Sequence, residues 1–242
     1  MTITTPRSPA APSILERVLD LVRTTPGAVV VFDLDSTLFD NRPRQARILR
    51  EFGDAQAVAE LSAAAAAHFS GGWDLSLAMA ATGLARPRVT ELAEQAKAFW
   101  RERFFTSEYC LEDVPIAGAP GFVQQVRELG GLVAYCTGRH EPMRVGSTES
   151  LRRGGFPIPG DPRVQLLMKS DAGESDDDYK RRAHRELAAL GTVIAAFDNE
   201  PVHINDYHRV FPAAVSVHLT TDHSGRPVAV ADGIPAIPHF GP

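Results

Sequence analysis

A short apolar segment that ends in two aspartates constrains this sequence more than any other feature. Residues 28–32 read Ala-Val-Val-Val-Phe, a composition typical of a strand buried on both faces of a sheet. Asp33 and Asp35 follow at its carboxyl end, which is where ligands bind in open α/β sheets. Alternate side chains of an extended chain point the same way, so both carboxylates can face one cavity. One could then attack a substrate while the other handles a proton.

Composition limits the classes of protein to which the chain can belong. The 242 residues suit one large domain or a core with a smaller insert, and two cysteines make no disulfide framework. A net charge of −5 argues against a general binder of nucleic acid or of anionic membranes. No apolar run is long enough to span a bilayer, and residues 1–12 lack the apolar core of a signal peptide. We therefore expect a cytoplasmic protein with a disordered leader over residues 1–12.

Three further apolar segments also end in polar residues. They cover residues 132–136, 164–168 and 192–197, and they are followed by Thr137-Gly138-Arg139, by Lys169 and by Asp198-Asn199. A hydroxyl followed by glycine can offer a side-chain donor and a free backbone N–H to a phosphate. Because the carboxyl ends of parallel strands meet at one edge of a sheet, we expect these residues to lie close to Asp33 and Asp35.

The pattern between residues 43 and 115 is different, because it is rich in alanine and contains no strand-like run. It predicts helices near 43–52, 55–69, 74–81 and 88–104. The remaining periodic segments predict helices near 13–23, 120–129, 147–153 and 179–190, a strand over 213–219, and a tail over 220–242 that wraps the surface. Arg42 and Arg44 lie where the chain leaves the first strand. Arginine suits phosphate, and the alternative interpretation, a surface hinge without a functional role, is the more common one for such residues.

The sequence Asp33-Leu34-Asp35-Ser36-Thr37-Leu38 resembles the first motif of the haloacid dehalogenase superfamily, in its phosphatase branch. Thr137 and Asp198 match the positions of the second and fourth motifs, and Asn199 departs from the aspartate that is commonest there. The third motif is a lysine, for which Lys180 is favoured over Lys169. Lys180 follows an acidic loop, as in the phosphatase domain of polynucleotide kinases.

The resemblance implies an α/β fold with a Rossmann-like doubly wound parallel sheet. The core would comprise residues 13–42 and 116–242, and residues 43–115 would form an α-helical cap inserted between the first two motifs. The implied activity is a Mg²⁺-dependent phosphatase that hydrolyses a small phosphomonoester through an aspartyl phosphate. The implied catalytic residues are Asp33, Asp35, Thr137 and Lys180. The implied substrate-binding residues are Thr137, Gly138, Arg139, Arg42 and Lys169, and the implied metal ligands are Asp33, Asp35, Asp198 and Asn199.

Two other functions remain open from the sequence. A phosphomutase would use the same nucleophile and the same acid, and would pass the phosphoryl group to a sugar hydroxyl instead of water. A non-catalytic protein that binds a phosphorylated ligand would need the carboxylates or the lysine to be missing or blocked. The acidic net charge disfavours a nucleic-acid substrate. The sequence predicts neither the natural substrate nor the oligomeric state.

Overall fold

A parallel sheet forms the centre of the structure, a computed structural model that describes residues 12–70 and 73–241. The predicted leader lies outside the described residues, apart from Pro12. The described strands are β1 (Ala28–Phe32), β2 (Phe39–Asp40), β3 (Val114–Pro115), β4 (Leu132–His140), β5 (Val164–Lys169), β6 (Thr192–Asp198), β7 (Val215–Leu219) and β8 (Ala236–Ile237). Six of them form one sheet in the order β5-β4-β1-β6-β7-β8, and all neighbours in it are parallel.

The central position of β1 decides what lies next to its carboxyl end. Val31 of β1 pairs with Ala134 of β4 on one side and with Ala196 of β6 on the other. The same register brings the ends of all three strands to one edge of the sheet. The predicted α/β fold with a Rossmann-like parallel sheet is therefore confirmed.

Helices cover both faces of this sheet and form a separate block beside it. They are α1 (Ile14–Thr24), α2 (Arg42–Gln56), α3 (Ala59–Ser62), α4 (Leu75–Ala81), α5 (Arg86–Phe104), α6 (Ala119–Glu128), α7 (Arg144–Arg153), α8 (Asp176–Leu190) and α9 (Pro201–Val210). Helix α1 begins as its sequence predicts, because Ser13 accepts a hydrogen bond from the Glu16 amide and Glu16 accepts one from the Ser13 amide. Among the described residues, none of these helices has the length and apolar character needed to cross a membrane.

Helices α2 to α5 make up the helical block between β2 and β3. They bury their own apolar cluster, which includes Phe52, Leu61 and Met79, separately from the cluster beneath the sheet. The two chain segments that connect this block to the core are β2 and β3, which pair with each other in antiparallel fashion. We call helices α2 to α5 the cap and the β2–β3 pair the hinge.

The predicted helix over residues 55–69 is wrong. The chain instead continues α2 to Gln56, turns through a left-handed conformation at Ala57, and forms only the single turn of α3 and a short 3₁₀ turn at Ala66–His68. Close packing explains the break, because a Cβ atom added to Gly53 would lie 2.4 Å from the Ser62 nitrogen. Alanine favours a helix locally, but here the approach of two backbones decides the conformation.

The tail also differs from the prediction, because it contributes the short edge strand β8. Ile237 pairs with Leu219 of β7, and Phe240 packs against Phe32 and Phe122 in the core. A strand of two residues is too short to show an alternating sequence pattern, so β8 is defined only by its pairing with β7 in the folded protein.

Candidate active site

A lysine lies between two buried carboxylates at the edge where β1 and β6 end. Lys180 Nζ is 2.8 Å from Asp33 Oδ1 and 2.6 Å from Asp198 Oδ2, and all three side chains are buried. The lysine reaches this point from the second turn of α8, whose start is fixed by the Ser175 side chain accepting from the Asp178 amide. We call Asp33, Lys180 and Asp198 the lysine cluster.

Burial and charge act against each other in the lysine cluster. Burial raises the pKa of the Asp33 carboxyl to about 7, against the opposing effect of Lys180. Burial alone would lower the pKa of Lys180, but the charges of Asp198 and Asp33 outweigh it and raise that pKa. The cluster contains two carboxylates and one ammonium, so a further positive charge would be stabilised there.

A second buried cluster lies beside the first and connects the core to the cap. Arg139 of β4 donates from Nε to Asp35 Oδ2 at 2.9 Å and from Nη2 to Asp35 Oδ1 at 2.7 Å. Arg44 of α2 donates to the same Oδ1 at 3.1 Å. Both arginines also donate to Asp113, just before β3, at 2.6 Å from Arg139 Nη2 and at 2.8 Å from Arg44 Nε. We call Asp35, Arg44, Asp113 and Arg139 the arginine cluster.

The arginine cluster holds Asp35 as an oriented carboxylate. Burial alone would raise the pKa of Asp35, but Arg139 and Arg44 outweigh it and hold that pKa well below its usual range. Both oxygens of Asp35 accept hydrogen bonds, and the side chain keeps 17% of its surface exposed towards the cavity. In this state Asp35 can accept a proton but has none to give.

A cavity of about 390 Å³ opens above the two clusters. The core contributes its charged floor, including Asp33, Asp35 and Lys180, and the cap contributes Trp73, Phe104 and Phe105. The tail contributes Ser224 and Arg226 to the same cavity. Its volume falls in the range of pockets that hold small molecules, on the order of 300–1,000 Å³.

Comparison with known proteins gives a clear result for the fold only. No family model and no curated protein matches the sequence. Among solved structures, Protein Tyrosine Kinase A (PtkA) from Mycobacterium tuberculosis is 18% identical, with a TM-score of 0.56 over 88% of this chain and 94% of that chain. A candidate phosphatase from Clostridium difficile is 12% identical, with a TM-score of 0.51 over 81% and 86%. The haloacid dehalogenase-like hydrolase SP0104 from Streptococcus pneumoniae is 12% identical, with a TM-score of 0.47 over 84% and 88%.

The chain shares its fold with PtkA and with the Clostridium difficile protein. The α/β fold with a parallel sheet, which the sequence motifs predicted, is thus confirmed. At one edge of the sheet the structure gathers Asp33, Asp35, Lys180 and Asp198, which come from three separate segments of the sequence.

The other sequence candidates occupy different positions around the cavity and its edge. Gly138 lines the cavity, and a Cβ atom at this position would lie 2.7 Å from Asp176 Oδ2. The Thr137 side chain is fully buried, and its hydroxyl accepts a hydrogen bond from the Arg139 amide at 3.3 Å. Asn199 lines the cavity, but its side-chain oxygen accepts from Thr37 at 3.0 Å.

Two predicted phosphate-binding cations are not brought to the lysine cluster. Lys169 pairs with Asp176 at 2.6 Å and donates to the Glu174 carbonyl oxygen at 3.1 Å. Arg42 pairs through two hydrogen bonds with Asp40, and it lines a separate cavity beside the hinge. Of the two lysines and the three arginines considered from the sequence, Lys180, Arg44 and Arg139 reach the two clusters.

Sequence reasoning missed Asp113, although its side chain is completely buried and binds both arginines of its cluster. It lies at the point where the chain returns from the cap to the core. In the sequence, Asp113 is preceded by Glu112 and followed by Val114-Pro115. This local pattern does not distinguish it from an aspartate on the surface.

The lysine cluster fits the donor requirements of a magnesium ion. The described residues contain no group of three or more acidic, histidine or cysteine side chains that would form a metal site alone. Mg²⁺ is nevertheless usually bound through one or two carboxylates and keeps several waters. Asp33 and Asp198 supply two such carboxylates, and both approach a single point, the Nζ atom of Lys180.

Proposed function

We propose that this protein is a Mg²⁺-dependent phosphatase that hydrolyses a small phosphomonoester through an aspartyl phosphate on Asp33. The observation that carries the proposal is Lys180 Nζ within 2.8 Å of Asp33 and 2.6 Å of Asp198, at the floor of a cavity. An ammonium held beside a carboxylate nucleophile neutralises it while a phosphate dianion approaches. Asp33 and Asp198 would hold the Mg²⁺ ion together with the backbone carbonyl of Asp35, and the ion would supply charge stabilisation for the transferring phosphoryl group.

The proposed reaction has two half-steps. In the first, a carboxylate oxygen of Asp33 forms a bond to phosphorus, and the bond between phosphorus and the ester oxygen breaks. In the second, a water oxygen attacks phosphorus and the Asp33–phosphorus bond breaks, which releases inorganic phosphate. Lys180 and the Gly138 backbone hold the phosphoryl oxygens throughout.

Asp35 handles the protons in both half-steps. A phosphomonoester that enters as its monoanion brings one proton, which Asp35 relays to the departing alcohol oxygen. Asp35 then takes a proton from the attacking water. Arg44 and Arg139 support this assignment, because they fix both oxygens of the carboxylate towards the cavity.

Phosphate release from a panel of phosphomonoesters tests the proposal, with Mg²⁺ and with EDTA. We expect release that needs Mg²⁺ and that falls to background in Asp33→Asn, because an amide is a poor nucleophile. Asp20→Asn is the matched control, since Asp20 is an exposed residue of α1 that pairs with Arg23 and does not line the cavity. Retained release in folded Asp33→Asn would refute the nucleophile. Phosphoryl transfer to a sugar hydroxyl without release would establish a mutase, and phosphate binding without turnover would establish a binding protein.

A further inference from the structure

We infer that the cavity takes a nucleoside monophosphate, with the base against aromatic side chains of the cap and the ribose among polar groups of the core. The inference rests on the proposed function and names its substrate class. It is carried by the two chemically different sides of the cavity. We call Trp73, Phe104 and Phe105 the aromatic wall, and Glu200, Ser224 and Arg226 the polar wall.

Ring contacts within the cap keep the aromatic wall rigid. The Phe104 ring lies 5.2 Å from the Trp73 ring and 5.1 Å from the Phe105 ring, both edge to face. Trp100 stacks on Phe104 at 4.4 Å between ring centres, and Phe104 is only 1% exposed, so it supports a wall whose accessible ring surface comes from Trp73 and Phe105. A rigid aromatic surface in a cavity binds a planar ring at little cost in side-chain entropy.

The aromatic wall lies close to the point where the leaving group would depart. The guanidinium of Arg44 sits 4.4 Å from the centre of the Phe104 ring and also donates to the Phe104 carbonyl oxygen at 3.2 Å. The same guanidinium donates to Asp35 at 3.1 Å. One arginine side chain therefore separates the wall from the carboxylate that handles the leaving oxygen. We therefore place the part of the substrate beyond that oxygen beside this wall.

The charges in the cavity disfavour a second phosphate group beside the one that the proposed function assigns to Lys180. The cavity's three lining cations are all paired within the described residues: Lys180 with Asp33 and Asp198, Arg139 with Asp35 and Asp113, and Arg226 with Asp177 and Glu200. With Lys180 assigned to the first phosphate, a second phosphate would meet only Arg139 and Arg226, both of which are already paired with carboxylates, and this disfavours nucleoside diphosphates and triphosphates.

The polar wall suits hydroxyl groups. Glu200 accepts hydrogen bonds from the Ser224 hydroxyl at 2.8 Å and from the Ser224 amide at 3.0 Å, and Arg226 lies 3.2 Å from the same carboxylate. Carboxylate and hydroxyl oxygens retain free lone pairs after these contacts, so they can accept from ribose hydroxyls. A sugar phosphate alone would use this wall and leave the aromatic wall in contact with water.

The first test compares adenosine 5′-monophosphate with ribose 5-phosphate, which differ by the base and present the same kind of phosphate ester. We expect kcat/KM for the nucleotide to be about tenfold higher or more, the size of one base–aromatic stacking contact. Equal values for the two substrates would overturn the inference while leaving the phosphatase proposal intact. A preference for phosphotyrosine over the nucleotide would also overturn it, in favour of an aryl phosphate.

The second test uses a matched pair of substitutions in the cap. Phe105 lines the cavity, whereas Phe99 packs against Phe52 inside the cap and does not line it. We expect Phe105→Leu to lower kcat/KM for the nucleotide about fivefold more than for ribose 5-phosphate, and Phe99→Leu to leave that ratio unchanged. An equal change of the ratio in both variants would contradict a stacking role for the wall.

A binding measurement keeps the inference testable even without turnover. Trp73 and Trp100 are the two tryptophans of the sequence, and both belong to the ring contacts of the aromatic wall. Adenosine 5′-monophosphate should quench their fluorescence in Asp33→Asn at concentrations about tenfold below those needed for any effect of ribose 5-phosphate. Equal effects of the two compounds would overturn the inference. Absence of phosphate release by the native protein from every ester would instead refute the proposed function.

Discussion

The lysine cluster and the arginine cluster lie side by side at one sheet edge, but their charges balance differently. Asp33, Asp198 and Lys180 leave one negative charge uncompensated, whereas the two arginines match Asp35 and Asp113. Buried charge is costly unless it is paired, so an unbalanced group implies a missing positive partner and a balanced group does not. The comparison separates two roles within one cavity: the first cluster is built to receive a charged ligand, and the second to hold a side chain in place.

The largest expected effect distinguishes the two lysines. Lys180→Met removes the only ammonium of the lysine cluster, and we expect kcat for phosphate release to fall about 10²–10³-fold, the usual cost of losing one electrostatic donor. Lys169→Met is the control, because Lys169 pairs with Asp176 outside the cluster, and its loss should stay below about tenfold. A larger loss in Lys169→Met than in Lys180→Met would reverse the assignment.

The next effect tests whether the arginine cluster stabilises the fold because its positive and negative charges are equal in number. Asp113→Asn leaves a buried excess of positive charge, so we expect the free energy of unfolding to fall by about 3 kcal/mol, as measured by urea denaturation. Asp20→Asn should cost under about 1 kcal/mol, because its pair with Arg23 is exposed.

A double variant checks that the balance of charge is the cause. Arg44→Gln combined with Asp113→Asn removes one charge of each sign, and the two effects should be non-additive by about 1 kcal/mol or more. Strict additivity would show that each residue contributes through packing alone.

Magnesium should distinguish the two clusters, because we expect it to bind the lysine cluster, which has an uncompensated negative charge, and so to stabilise the protein. At a concentration of 100 times its Kd, Mg²⁺ is expected to stabilise the protein by about 2.7 kcal/mol, which thermal unfolding would detect as a higher Tm. Asp198→Asn should lose this shift, whereas Asp113→Asn should keep it. The same Mg²⁺ shift in both variants would place the ion elsewhere.

The smallest effect concerns the backbone between the clusters. Ser36 follows Asp35 in a left-handed conformation with φ of 59°, which is strained for a residue with a side chain. Ser36→Gly should therefore raise the free energy of unfolding by about 0.5 kcal/mol, after allowance for the greater freedom of glycine in the unfolded chain. Decreased stability would show that the Ser36 side chain contributes more than the strain costs.

The sequence predicted the residues of the lysine cluster because each follows a recognisable apolar strand or opens a recognisable helix. Asp33 and Asp198 end buried strands, and parallel pairing then brings them together without further information. Lys180 follows an acidic loop, and the resemblance to a known motif was needed to prefer it over Lys169. These are local patterns combined with one topological rule.

The arginine cluster could not be predicted in the same way. Asp113 is 69 residues from Arg44 and 26 residues from Arg139 in the chain, so no local pattern joins them. Their contact depends on how the cap returns to the core through the hinge. The predicted helix over residues 55–69 failed for a related reason, since backbone packing at Gly53 overrode the preference of alanine.

The path of the C-terminal segment couples folding to recognition. The chain leaves the sheet after Leu219, passes the cavity at Ser224 and Arg226, and returns to the sheet as β8, with Phe240 anchored among core aromatic rings. A loop that is tied down at both ends loses little further entropy when a ligand binds to it. Shortening the protein at its C-terminus would therefore release one edge of the sheet and one side of the cavity together, whereas exchange of residues between the two anchors could alter ligand preference on an intact scaffold.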